Sequence, residues 1–415
     1  MKKVFLILLS TLFLISCQEN ENPANSGDPT LIELKVFDQY INENREVWAI
    51  LQSKEGEILD IRKLENGKLE KFENLTDRNY HLTYILRESS PFMSQVNTTA
   101  FTYLSVSTGK TYTIGLPLGT FSGPDEPFNG FHRITLNFPN VPKGGFASSK
   151  NGRIPLSTNI NGNQLDIAML FRGENERIFV SGVGQEGQAR YDFISNVSKD
   201  GQKQVDFSSM KNFDKTITVP KPSGFFSYAI TAMEENQNRY VNGYLIGTSS
   251  YGFNSNSSNL ALGYLNEFKV YTTLFTANDN SRSISFFKVG SIPSKINLPF
   301  GKDISVSKNG VNDFRFTSPT GTDYSIITFR KSNDPNFPNE VLSWFVFGNQ
   351  EEFTLRVSEE LKTQYPVMSD LNLLKLESIL SVESTYSYND YVRNQLIEVP
   401  KLLQFETTQV LKFFN

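Results

Sequence analysis

Cys17 is the only cysteine in 415 residues, and His81 and His132 are the only histidines. That scarcity bounds the chemistry. A disulfide needs a second thiol, most zinc sites draw on several His or Cys ligands, and a serine-type triad would have to use one of these two imidazoles. Acids are plentiful, with 44 Asp and Glu, and a pair of them could serve glycoside hydrolysis. No spacing selects such a pair, so no catalytic residue, metal ligand or cofactor is assigned.

Several motifs approach known chemistry and fail on context. Gly182-Val-Gly184-Gln-Glu-Gly187 matches a dinucleotide fingerprint as a string. That motif needs a following helix whose free N–H groups meet the pyrophosphate, and Gln188 to Ile194 has the composition of a strand. Thr108-Gly109-Lys110-Thr111 has the end of a phosphate loop, but the required first glycine falls on Leu104, so it reads as a hairpin turn. Asp125, Glu126 and Asp279 could offer oxygens to Ca²⁺, yet no regular calcium-loop spacing surrounds them.

Two aromatic groupings are the ligand-binding candidates. Tyr251 and Phe253 sit in a polar stretch from Gly247 to Asn259, whose Tyr/Ser/Gly/Asn mixture is that of adaptable binding loops. Tyr386 and Tyr388 would share one face of a strand. A ring exposed at either place could stack on a sugar. Trp48 and Trp344 lie within apolar runs and read as core.

The N-terminus carries the most specific pattern. Lys2 and Lys3 precede the apolar stretch Val4 to Ile15, and Ser16 and Cys17 follow. This is the layout of a signal peptide; a membrane-spanning helix would need about 20 apolar residues. Leu14-Ile15-Ser16-Cys17 resembles the lipobox of bacterial lipoproteins, and the acidic, Asn-rich stretch after it is similar to surface-export signals of Bacteroidota-like lipoproteins. The resemblance implies acylation of Cys17, removal of residues 1–16, and an outer-membrane, surface-exposed location, with a periplasm-facing orientation left open. Residues 17–30 would form a solvated tether.

Loss of the leader removes Lys2 and Lys3 and no acid, taking the formal charge from −4 to −6. A mildly acidic chain lacks the basic stripe that nucleic acid demands. The 34 Phe and 17 Tyr, with frequent Thr, Ser, Ile and Val, favour strands. The expected fold is all-β and multi-domain, built of tandem immunoglobulin-like β-sandwich modules. The modules are an immunoglobulin-like sandwich at 31–118, a Gly/Pro-rich joint at 119–130, a second β domain at 131–291 and a third at 292–415. Turns are expected at Glu55-Gly56, Asn66-Gly67 and Thr108-Gly109, with Asn66-Gly67 predicting a type I′ hairpin. Leu371 to Val382 fits both a helical stripe capped by Asp370 and an alternation, with strand preferred. Leu403 to Phe414 should complete a sheet.

These readings converge on a lipid-anchored envelope protein with a non-catalytic binding or scaffold role. Its partners would be the membrane, through Cys17, and a surface glycan or another envelope protein. Alternatives are an extracellular carboxylate-dependent hydrolase and a structural subunit of a surface assembly.

Overall fold

The computed structural model describes residues 27–89, 95–116, 131–137, 144–150, 157–161, 164–170, 175–184, 188–198, 202–236, 239–249, 258–279, 282–331, 337–398 and 404–414. The protein is all-β, with several sheets. The first strands are β1 (Ile32–Val36), β2 (Arg45–Gln52), β3 (Ile58–Lys63), β4 (Leu69–Phe72), β5 (Asn79–Ser89), β6 (Val96–Ser107) and β7 (Lys110–Ile114). Next come β8 (Phe131–Asn137), β9 (Gly144–Ser149), β10 (Ser157–Asn161), β11 (Gln164–Leu170), β12 (Asn175–Val183), β13 (Ala189–Ser198) and β14 (Gln202–Gln204). They are followed by β15 (Lys211–Asn212), β16 (Lys215–Pro220), β17 (Phe226–Asn236), β18 (Arg239–Thr248), β19 (Asn259–Tyr264), β20 (Val270–Asp279) and β21 (Arg282–Gly290). The last are β22 (Ser305–Gly310), β23 (Asp313–Thr317), β24 (Tyr324–Lys331), β25 (Glu340–Gly348), β26 (Glu352–Phe353), β27 (Lys375–Ser384) and β28 (Phe405–Phe413), with short helices α1 (Glu359–Gln364) and α2 (Tyr388–Leu396). Among the described residues no helix is long and apolar enough to cross a membrane.

Twelve strands form one sheet in the order β18-β17-β20-β21-β28-β27-β24-β25-β6-β5-β2-β3. Strands from all three blocks read in the sequence contribute to it. Two junctions make this continuity. Strand β28 pairs antiparallel with β21 on one side and β27 on the other, and β25 pairs parallel with β6. The apolar-polar run at the C-terminus is thus an interior strand of the sheet.

Side chains alternate across a strand, and the sheet uses this to separate two faces. On β25, Leu342, Trp344 and Val346 are buried while Ser343 and Phe345 are half-buried; β24 repeats the pattern with Ile327 and Phe329 against Ile326 and Thr328. The covered face carries Ile50, Ile85, Ala100, Trp344, Ile327, Phe329 and Ile379 under a roof of β22, β23, α1 and the segment after it. Two buried indoles fix this layer: Trp48 Nε1 donates to the Tyr365 hydroxyl and Trp344 Nε1 to Thr102 Oγ1, both at 2.8 Å. Each apolar ring thereby has its one polar atom satisfied.

The opposite face is covered at its β2–β5–β6 end by the three-stranded sheet β4-β1-β7 and by α2, which share one core with it. At the far end of the sheet it is the first face, the one that carries Trp344, that is covered: β9, β12, β13, β16 and β19 supply Phe146, Phe179, Tyr191, Ile217 and Leu262 against Tyr228, Tyr271, Phe275 and Phe286. This sheet-on-sheet layering is sandwich-like.

Turn chemistry departs from the sequence reading in two places. Gly56, Gly67 and Gly109 all take positive φ, but only Gly56 closes a hairpin, between β2 and β3. Asn66-Gly67 is no type I′ hairpin, because β3 pairs with β2 whereas β4 pairs with β1 in the other sheet. Asn66 instead clips a neighbouring loop, accepting from the Ile41 N–H at 2.9 Å and donating to the Ile41 carbonyl at 2.7 Å. Thr108-Gly109 likewise carries the chain from β6 to β7 in the other sheet. The apolar residues flanking each turn belong to two facing layers, so the chain crosses between sheets rather than folding back. The Gly182 to Gly187 stretch joins β12 to its antiparallel partner β13, with Gly184 N–H donating to the Gln188 carbonyl at 2.9 Å, and no helix follows.

Candidate functional site

The cover over the second sheet face reaches Tyr324 on β24 and Val382 on β27, with Phe101, Phe345 and Leu380 packed at its border. One row there can be followed residue by residue. Ala49 on β2 lies opposite Tyr84 on β5, Tyr84 opposite Phe101 on β6, and Phe101 opposite Phe345 on β25. The row continues through Thr328 on β24 and Ser378 on β27 to Phe413 on β28.

Tyr84, Phe101 and Phe345 form a ladder, with centroids 4.8 and 5.5 Å apart and planes within 21° and 16°. Rings stacked across neighbouring strands stand on edge above the sheet, so each inner ring has both faces occupied. Phe345 is the last rung. It stacks on Phe101 and packs, half-buried, at the border of the core under α2, and the row runs on from it through Thr328 and Ser378 to Phe413, which is 51 % exposed. Three strand spacings of about 4.8 Å separate the two phenylalanines, a trough roughly 14 Å wide. Its floor is two small hydroxyl side chains, both half-buried, whose hydroxyls have no hydrogen-bond partner among the described residues. Arg330, two residues beyond Thr328 and hence on the same face, lies 3.6 Å from Glu377 and closes one end. The trough thus offers two apolar ring walls, a hydroxyl floor and a polar end.

The residues singled out in the sequence are placed as follows. Cys17, Tyr251, Phe253, Asp125 and Glu126 lie outside the described residues, Asp279 closes β20, and His132 lies on β8 opposite Met169. Tyr386 and Tyr388 do not share a strand face. Ser387 and Asp390 form a reciprocal capping box that starts α2 at Tyr388, satisfying two free N–H groups and favouring a helix there. Tyr388 is buried in the core, its hydroxyl 2.8 Å from the Leu104 and Phe347 carbonyls. Tyr386 is half-buried, with its hydroxyl 3.2 Å from that of Tyr324 and its ring edge-on to Phe405. Burial pushes the phenols of Tyr324, Tyr388 and Tyr391 well up from the usual tyrosine range. This cluster packs α2 onto the sheet.

Sequence reading missed the trough. The available signals were Phe345 out of phase with the core residue Trp344, and Phe413 beside Phe414, where alternation forces one of two adjacent rings outward. No protein-family model matches the sequence, and no curated protein gives a significant match to it.

Proposed function

We propose that the protein is a lipid-anchored envelope protein that binds glycans in the trough between Phe345 and Phe413. The observation that supports this reading is the row in which half-buried Phe345, the half-buried hydroxyl side chains of Thr328 and Ser378 and the exposed ring of Phe413 follow one another across four strands. A sugar ring has an apolar C–H face that lies on an aromatic face, and hydroxyls that trade hydrogen bonds with Thr328 and Ser378. Few convergent polar groups among apolar walls is the usual composition of a small-molecule site. The role is non-catalytic binding, on immunoglobulin-like modules held at an outer membrane through acylated Cys17. The lipobox-like residues support the anchor; stable attachment needs more than one acyl chain.

Two experiments test it. Metabolic labelling with a fatty acid should mark the wild-type protein and not Cys17→Ser; equal labelling removes the anchor. Mature protein should be retarded on affinity gels by at least one polysaccharide in a broad panel, and the Phe345→Ala Phe413→Ala variant should not. Retention of both proteins alike, or of neither, contradicts the trough, and turnover of a polysaccharide contradicts the non-catalytic role.

A further inference from the structure

A groove of about 980 Å³ lies beside the trough, on the other side of the Arg330–Glu377 pair. One wall is the five consecutive residues Val306–Gly310 and the other the four consecutive residues Leu374–Glu377. Side chains of a strand alternate between faces, so consecutive residues can line one groove only by presenting the backbone edge of the strand. The topology agrees. Strand β22 is at the edge of the β22-β23-β26 sheet, with β23 as its only strand partner among the described residues. Strand β27 pairs with β28 only from Ser378 onward, and Phe414 N–H donates to the Glu377 carbonyl at 2.9 Å, which leaves residues 374–376 beyond the reach of β28. Both walls therefore carry main-chain donors and acceptors.

We infer that the groove accepts an extended, acidic segment of a partner protein, which adds as a strand to the edge of β22. Main-chain bonds to a free edge supply affinity in such complexes, and side-chain pockets supply selectivity. The charges favour an acid: of the groove's ionic side chains, Lys308, Arg330 and Lys375 are cationic and Glu377 alone is anionic. Lys308 is held by Asp313 at 2.8 Å and Arg330 faces Glu377, whereas Lys375 is exposed, with no ion-pair partner among the described residues. A carboxylate on the incoming segment would meet Lys375. The bulge between Val306 and Lys308 interrupts the edge, a device that keeps strands from pairing indiscriminately and confines addition to a matched segment. This inference stands on different residues from the glycan trough and does not depend on it.

The test is selection of a phage-displayed library of random linear peptides on the mature protein. Enriched peptides are then examined by hydrogen exchange and anisotropy. The expected outcome is acid-rich peptides that slow exchange of amides 305–310, lose at least about tenfold in affinity when alternate amides are N-methylated, and lose a similar factor on Lys375→Glu. Phe345→Ala should leave their binding unchanged. No enrichment, protection elsewhere, or indifference to N-methylation would overturn the inference.

Discussion

Gln52 and His81 face each other across β2 and β5, both fully buried. Gln52 Nε2 lies 3.2 Å from the Gly56 and Arg356 carbonyls, and His81 Nδ1 accepts the Ser105 N–H at 3.3 Å. That bond puts the imidazole proton on Nε2. Among the described residues the Gln52 Oε1 acceptor has no hydrogen-bond partner.

Burial holds the His81 imidazole down at about 4, against 6.5 for the free group. The unfolded chain therefore takes up its proton first as pH falls. The His81 contribution to stability is full above pH 6.5 and is lost as pH falls from there to about 4, an effect of order 3 kcal/mol. Carboxylates such as Glu383, held down by Lys302, lose their share at lower pH, so a His81→Gln control is needed. Denaturant midpoints across this range should fall more steeply for wild type than for the variant; parallel curves would show that His81 is not buried neutral.

Tyr388 should behave as a core residue. Removing its hydroxyl leaves the Leu104 and Phe347 carbonyls without it, so Tyr388→Phe should cost about 1–2 kcal/mol by urea unfolding. Glycan affinity should stay at the wild-type value. A loss of binding with unchanged stability would return Tyr388 to the ligand site.

Two turn glycines should respond unequally. Gly67 has φ +70° and its nearest neighbour to an added Cβ is Asp38 Oδ1 at 3.2 Å, whereas Gly56 has φ +81° and a Cβ there would stand 2.2 Å from the Thr354 carbonyl oxygen. Gly67→Ala should cost about 1–2 kcal/mol, the left-handed penalty alone. Gly56→Ala adds a backbone collision and should cost about 3 kcal/mol or more. Equal losses would mean that the β2–β3 turn does not press on Thr354.

A chain ending before Phe405 would lose β28 and expose the edges of β21 and β27. Amides of both strands should exchange much faster than in the full chain, and the shortened protein should self-associate on size exclusion, as free edges do. A monomer with an unchanged melting temperature would contradict the interior position of β28.

Much of the local structure was legible. Alternation in Ile32-Leu34-Val36, in Tyr80 to Leu86 and in Val341 to Phe347 identifies β1, β5 and β25 as strands, although β5 and β25 lie inside the large sheet with residues in a core on either face. Leu371 to Val382 divides where its two periodicities conflict: Asp370 caps a single 3₁₀ turn at Leu371–Leu373 and the rest is β27. Partner choice was not legible. Nothing local says that β25 lies parallel to β6, some 240 residues earlier, because register is set by burial on the assembled sheet. The trough was hidden for the same reason, since its four residues come from four strands.

The most direct measurement of the central claim is calorimetric titration of the polysaccharide that retards the mature protein most strongly. Phe345→Ala and Phe413→Ala should each weaken the dissociation constant about tenfold, with the circular dichroism spectrum and melting temperature close to wild type. Wild-type affinity in both variants would contradict the account.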